Sequence, residues 1–272
     1  MEIFCDICAA MFQWMGIVNL TPDSFFEPSR VWVDACGTPE GEPRLLADKA
    51  MERIRRLVAD GAEIVDLGAV STRPGAADVP LEEEWRRLEP VLKKLQTESV
   101  PYAPGKEPLQ ISIDTTRSEI VRRAYSIIGP FIVNDISAGE EDSRMLLTVA
   151  ELGLPFVAMH KRGNPRTMDD HCDYPEGVMS ELLSYFADFE RRAMELGIRG
   201  WILDPGLGFA KTIEQNWEIL KNLSRLQVFG RPILIGAADK RFTRCVPHGN
   251  ELANSLAIKG GAAILRVHDI PK

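Results

Sequence analysis

Short apolar, β-rich runs recur from one end of this chain to the other, with amphipathic segments between them. The runs are WMGIVNL, AEIVDLG, LQISIDT, FIVNDIS, LPFVAMH, GWILDPG, RPILIGA and AAILRVHD, eight in all. Between them, Leu81, Trp85, Leu88, Leu92 and Leu95, and later Val178, Leu182, Phe186, Phe189, Ala193 and Leu196, repeat at helical spacing. Gly61 and Gly197 fall where such helices should end in a left-handed cap. Strands that are apolar almost throughout, each followed by a crossover helix, belong to a parallel sheet covered on its outer face, and eight such units close into a barrel. The expected fold is a single-domain α/β (β/α)8 TIM barrel over residues 1–272. The competing architecture is an open, doubly wound sheet. Against it, no GxGxxG follows the first strand, and polar residues end many strands rather than cluster at one crevice. Only four residues follow His268, so the eighth helix is expected to be missing or truncated.

Composition narrows the partners. A chain of 272 residues, 45% of them hydrophobic, can bury a large core, and α/β barrels run to about 250 residues as one domain. A formal charge of −8 argues against nucleic acid and anionic membrane surfaces, which need a continuous basic face. The five cysteines, at 5, 8, 36, 172 and 245, are odd in number and scattered, which points to a reducing cytoplasm rather than a disulfide framework. Cys5 and Cys8 form a lone CxxC without a second pair or nearby histidines, and they read as small apolar residues of an N-terminal strand. The first eighteen residues carry Glu2 and Asp6 and no basic leader or long apolar run, so neither secretion nor membrane insertion is expected. Irregular stretches lie near 21–43, 70–80, 97–109 and 161–176. Three of them follow strands 1, 2 and 5 and would be loops of the catalytic face, whereas 97–109 follows a helix and would lie opposite.

The strand ends carry Asn19, Asp66, Asp114, Asn134 with Asp135, His160, Asp204, Lys240 just past strand 7, and Arg266 with His268 on strand 8. Singly, each has a structural explanation: Asp114 before Thr115-Thr116 can cap the next helix, and Asp204 before Pro205-Gly206 can set a turn. Together, Asp114, Asn134 and Asp204 supply acceptors and an amide suited to the donor-rich edge of a heterocycle such as an aminopyrimidinone. Thr72-Arg73, Arg266 and His268 supply the positive and hydrogen-bonding groups that a diphosphate requires. No serine sits in a GxSxG elbow and no cysteine lies in a catalytic motif, so a covalent nucleophile is not expected.

The segments MGIVNLTPDSFF, STRPGA, ISIDTTR, VNDISAG, MHKRGNPRTM, DPGLGFAK and RVHDI occur in that order over residues 15 to 270, and together they resemble the motif series of the dihydropteroate synthases. The resemblance implies a barrel that condenses 6-hydroxymethyl-7,8-dihydropterin diphosphate with p-aminobenzoate, releasing diphosphate and 7,8-dihydropteroate with the help of Mg2+. It implies that Asp114, Asn134, Met159, Asp204 and Lys240 bind the pterin, with Arg266 stacked on its face. Asn19 would hold the diphosphate's magnesium, and Thr72, Arg73, Arg266 and His268 would grip the diphosphate. Pro22, Phe25, Arg73 and Pro74 from the first two loops, with Phe209, Lys240 and Arg241, would form the p-aminobenzoate pocket. Asp114, Asp204, Lys240, Arg266 and His268 would carry the catalysis. Closure of the first two loops over the diphosphate predicts ordered binding, pterin first. The resemblance also implies a sulfonamide target, and a homodimer or a fused folate-pathway domain as the partner.

The chain departs from the family's pattern at several places. Ala238-Asp239 precede Lys240 where Ser-Arg is usual, so Asp239 reverses a charge close to the expected p-aminobenzoate carboxylate. At about 5 to 8 Å and high effective dielectric this would cost about 1 to 3 kcal/mol. Ala69-Val70 stand where Gly-Glu is usual, the first loop reads FFEPSR without a Gly-rich tail, and the segment from Lys240 to Arg266 is short, so its helix should be trimmed or rearranged. Two other functions compete: a pterin-dependent methyltransferase, which needs no diphosphate grip, and a pterin-binding homologue with weak or no catalysis.

Overall fold

The computed structural model describes residues 12–21, 41–70, 78–100, 108–163 and 167–271. Its strands are β1 (Gln13–Asn19), β2 (Ile64–Gly68), β3 (Gln110–Asp114), β4 (Ile132–Asp135), β5 (Phe156–Met159), β6 (Trp201–Asp204), β7 (Leu234–Ile235) and β8 (Ile264–Val267). All pair in parallel, in the order β6-β5-β4-β3-β2-β1-β8-β7. The two ends of that series meet through one bridge, Leu203 with Ile233, where the Leu203 N–H donates to the Pro232 carbonyl at 2.9 Å. The sheet therefore closes into the expected barrel, with a thin seam between β6 and β7.

Around it lie α1 (Gly41–Ala59), α2 (Leu81–Thr97), α3 (Ser118–Ile128), α4 (Met145–Leu152), α5 (Val178–Leu196), α6 (Ile213–Lys221), α7 (Arg241–Arg244) and α8 (Gly249–Lys259). Gly197 caps α5 in the left-handed region at φ 74 and ψ 19, as its position predicts. Gly61 lies two residues beyond the end of α1, at φ 111. The segment between Lys240 and β8 is rearranged rather than simply trimmed: four residues of α7, a break, then α8. Among the described residues no helix follows β8. The turn after that strand is held from the side instead. Arg53 of α1, itself buried, donates to Asp269 at 2.7 Å and to the His268 carbonyl, while Ile270 tucks into the core.

One alternation builds both the core and the mouth. Met15, Ile64, Ile132, Val157, Ile202, Leu234 and Ile264 point inward and fill the barrel's lower half. Their neighbours, among them Val65, Val133, Ala158, Leu203 and Leu265, face outward onto the helices. Because side chains alternate with period two, the next inward residues are Ile17, Asp66, Asn134, Met159, Asp204 and Arg266, and the interior turns polar toward the strands' C-terminal ends. Most of the outer core is aliphatic. An aromatic cluster lies under α5, where Phe186 and Phe189 pack on Trp201 with centroids 6.4 and 5.1 Å away.

Cys5, Cys8, Cys36, most of the first and second loops, and much of 97–109 lie outside the described residues. The fifth loop contains a short 3-10 turn, Met168–His171. Because Phe186 is fully buried, Phe186→Ala should cost about 3–5 kcal/mol of stability. Urea unfolding would check this, and a loss below about 1 kcal/mol would contradict the packing.

Candidate active site

The centre of the mouth is an ion cluster built from four strands. Arg266 of β8 reaches across the barrel and donates Nε to Asp66 Oδ2 at 2.7 Å and Nη2 to Asp114 Oδ2 at 3.1 Å. Asp66 is completely buried and accepts two further bonds, from Ser112 Oγ at 2.6 Å and from Asn134 Nδ2 at 3.0 Å. Asp114 shares its arginine with a second carboxylate. Burial, and then the charge of Asp66, push its pKa up to about 7 despite Arg266. The capping explanation of Asp114 does not hold: α3 begins after Arg117, and the Ser118 N–H is taken by Asp142 at 2.7 Å.

Asp204 ends β6 and does both things its sequence context allowed. Its Oδ1 accepts the Gly206 N–H at 2.7 Å, which sets the turn. Its side chain also lies at the barrel mouth, where burial raises its pKa against the pull of Lys240. The turn requires glycine: Gly206 has φ +68, and a Cβ there would lie 2.0 Å from the His160 carbonyl oxygen. Residues 205–211 are then clamped from three sides. Asn216 Oδ1 accepts the Gly208 N–H at 2.7 Å, Tyr174 donates to the Ala210 carbonyl at 2.8 Å, and Lys211 donates to the Phe209 carbonyl at 2.9 Å. A Thr212–Gln215 capping box starts α6 directly afterwards.

Lys240 arrives from the far side of this loop. Its Nζ donates to the Leu207 carbonyl and sits 4.9 Å from the centre of the Phe209 ring. Burial lowers its pKa to about 8, although the charge of Asp204 opposes the shift. Met159, buried at the end of β5, lies beside Asp204 in the ladder. Asn19 ends β1 next to Gly68; a Cβ on that glycine would lie 3.8 Å from both Asn19 Oδ1 and Asp114 Oδ2. His268 follows β8, and burial together with Arg266 lowers its pKa to about 4. Asp239 sits close enough to oppose that shift. It adopts φ 57, and its carboxylate accepts from Asn250 Nδ2 at 3.1 Å.

The structure thus gathers Asn19, Asp114, Asn134, Met159, Asp204, Phe209, Lys240, Arg266 and His268 at one end of the barrel, with Arg241 opening α7 beside them. Pro22, Phe25, Thr72, Arg73 and Pro74 lie outside the described residues. Two strand-end residues have structural partners. Asp135 accepts from the Ser137 N–H and Oγ, both at 2.7 Å, and from the Gly139 N–H at 2.8 Å. His160 is buried, with Nδ1 3.0 Å from Lys211 Nζ. Three contributors escape sequence reasoning: Ser112, Lys211, and the buried Glu84, which accepts from Thr115 Oγ1 at 2.6 Å and from Arg117. Arg117 also holds the Val79 carbonyl at 2.6 Å and Arg87 the Ala69 carbonyl at 2.8 Å, so both ends of the second loop are tied to α2 and α3. Lys211 sits in the DPGLGFAK run, where a lysine one residue before a capping threonine reads as solvent-exposed.

A (β/α)8 barrel with three carboxylates, an amide, two lysines and one arginine converging at its C-terminal mouth is a small-molecule enzyme site. The family model described as pterin binding enzyme matches residues 15–268, and the chain belongs to that family. It is 36% identical over 277 residues to the dihydropteroate synthase of Synechocystis, covering 96% of this chain and 88% of that one. It is 38% identical to the folic acid synthesis protein fol1 of Pneumocystis carinii, covering 94% of this chain but spanning only 34% of that protein's length. Among solved structures, the Yersinia pestis dihydropteroate synthase in a sulfonamide drug complex superposes with a TM-score of 0.79 at 31% identity, covering 96% of this chain and 90% of that one. The Thermus thermophilus dihydropteroate synthase in complex with 4-aminobenzoate gives 0.74 at 34% identity, covering 95% and 89%.

The buried lysines give the stability a pH signature. Burial lowers the Lys211 pKa to about 7, from the ordinary 10.5, so between those values the unfolded chain binds the extra proton and folding loses ground as pH falls. Urea midpoints should therefore rise from pH 7 to 9.5. Lys211→Met should flatten part of that rise, Lys240 supplying the rest; an identical slope in the variant would refute the burial argument.

Proposed function

We propose that this chain is a dihydropteroate synthase, a transferase of folate biosynthesis that joins 6-hydroxymethyl-7,8-dihydropterin diphosphate to p-aminobenzoate. The observation that carries this is the pairing of Asp114, Asn134 and Asp204 with Lys240 and Arg266 around one mouth. An aminopyrimidinone offers ring and exocyclic N–H groups that carboxylate and amide oxygens accept, and its carbonyl takes a donor such as Lys240. Asp114, with its pKa near 7, presents an acceptor or an O–H according to what the ring requires. Met159 supplies an apolar wall, and the Arg266 guanidinium a flat cation for the ring face.

The reaction breaks the bond between the pterin's exocyclic carbon and a diphosphate oxygen and forms a carbon–nitrogen bond to the arylamine, whose proton leaves with diphosphate or solvent. The electron-rich ring stabilises positive charge on that carbon, so the protein's task is to stabilise the leaving group and keep water away. His268 and Arg266, with Thr72 and Arg73, are assigned to the diphosphate. Asn19 offers a single amide oxygen, which suits a magnesium ion held chiefly by phosphate oxygens and water. When bound, that ion would neutralise charge on the departing diphosphate. Phe209, the Lys240-Arg241 start of α7 and the loop residues Pro22, Phe25, Arg73 and Pro74 are assigned to p-aminobenzoate, with pterin binding first.

Among the described residues no helix is long and apolar enough to cross a membrane. The odd, scattered cysteines favour a reducing cytoplasm as the location. A second copy, or a further folate-pathway domain, is the partner proposed for the α8 side, where Leu252 is 44% exposed.

Mixing both substrates with magnesium should release one diphosphate per 7,8-dihydropteroate formed; no release at any enzyme concentration would sink the synthase reading and leave a pterin-binding homologue. Asp239→Arg should lower the Michaelis constant for p-aminobenzoate by roughly ten- to a hundredfold, following about 1 to 3 kcal/mol of relieved repulsion. An unchanged constant would show that residue 239 does not face the arylamine carboxylate.

A further inference from the structure

Asp66 is assigned no ligand role, yet three side-chain hydrogen bonds converge on its carboxylate. Ser112 Oγ donates to its Oδ1 at 2.6 Å; Asn134 Nδ2 and Arg266 Nε donate to its Oδ2 at 3.0 and 2.7 Å. It is wholly buried, one inward layer above the aliphatic floor residue Ile64. A carboxylate paired with a guanidinium can only accept. Asn134 can therefore meet it only through its NH2 group, and its carbonyl must turn the other way. The orientation of a buried amide is normally a matter of which partners surround it. At Asn134 a single partner settles it.

We infer that Asp66 is a positioning residue that sets the donor and acceptor pattern read by the pterin site: it fixes the Asn134 amide with its carbonyl toward the mouth and aims the Arg266 guanidinium. The site then demands an N–H from the heterocycle at Asn134, and it rejects rings that present a lone pair there. Ser112 completes the arrangement by occupying Oδ1, which leaves Oδ2 to bind Asn134 and Arg266 together. This rests on the assignment of Asn134 to the pterin, and the test separates the two ideas by measuring binding without turnover.

Asp66→Asn keeps the shape but adds a donor, so residue 66 can now satisfy either orientation of the Asn134 amide. Titration calorimetry with 6-hydroxymethyl-7,8-dihydropterin diphosphate and magnesium should show binding weakened by at least tenfold. Asn134→Asp alone sets two carboxylates against each other and should weaken binding at least as much. The exchanged pair, Asp66→Asn with Asn134→Asp, restores one donor facing one carboxylate and keeps an acceptor at the mouth. It should recover at least tenfold in affinity over the weaker single variant. A role confined to stability would give no such recovery, and melting temperatures of all three variants would track their affinities. Wild-type affinity in Asp66→Asn would overturn the inference while leaving the pterin reading intact, as would a folded exchanged pair no better than either single variant. Absence of pterin binding by the unsubstituted protein would overturn both.

Discussion

The reach of Arg266 across the barrel to Asp66 and Asp114 is the constraint on which the rest of the site depends. Below it the interior is aliphatic, so any charge placed at this level loses much of its hydration, and an unpaired one would cost several kcal/mol. One guanidinium answers two carboxylates from β2 and β3. The bargain is uneven: Asp66 also has Ser112 and Asn134, whereas Asp114 has a share of the arginine and a pKa raised to about 7. The less satisfied carboxylate is the one closer to the mouth. A ligand carrying N–H donors would complete its hydrogen bonding, so the cluster is left incomplete on the side where a substrate arrives.

The same cluster ties β8 to the strands on the side away from the seam. β8 pairs with β1, and β1 with β2, so the Arg266–Asp66 contact spans two ladder steps and locks β8 above the β1–β2 register. That matters because β7 contributes two residues and meets β6 through a single bridge. With no described helix after β8, Arg53 of α1 holds the turn at His268 and Asp269. His268 is therefore positioned from two sides, by the strand that carries Arg266 and by a buried arginine of the first helix. On the opposite rim, Lys211, Asn216 and Tyr174 clamp residues 205–211, which gives Phe209 and Asp204 a rigid seat.

The fold was legible because its signal is repeated eight times and because period-two alternation gives the apolar floor and the polar mouth from one pattern. Individual elements were less so. RPILIGA contributes only Leu234–Ile235 as strand, since closure at the seam needs little ladder, and the broken α7–α8 segment shows only as a short stretch. Asp114, Asn134, Asp204, Lys240 and Arg266 were legible from their strand-end positions. Lys211, Ser112 and Glu84 were not, because their roles come from partners 31 to 51 positions away, and no local spacing encodes such a pairing. Asp135 looked like its neighbour Asn134 but faces the opposite way, into its own turn. In a strand, one step of register separates a ligand-facing side chain from a structural one.

Asp239 shows how a departure from a family's pattern can have a backbone cause. Its φ of 57 lies in the left-handed region, which aspartate tolerates better than branched or bulky residues. The strained residue is held in both directions by one side chain of α8: the Asp239 N–H donates to Asn250 Oδ1, and Asn250 Nδ2 returns a bond to its carboxylate, each at 3.1 Å. The carboxylate is thus engaged by Asn250, yet near enough to oppose the lowering of the His268 pKa, which burial and Arg266 bring down to about 4. At that pKa the His268 imidazole is neutral near pH 7, so the Asp239 charge has no histidinium to answer it, and the reciprocal bonds with Asn250 are what hold residue 239 in its left-handed conformation.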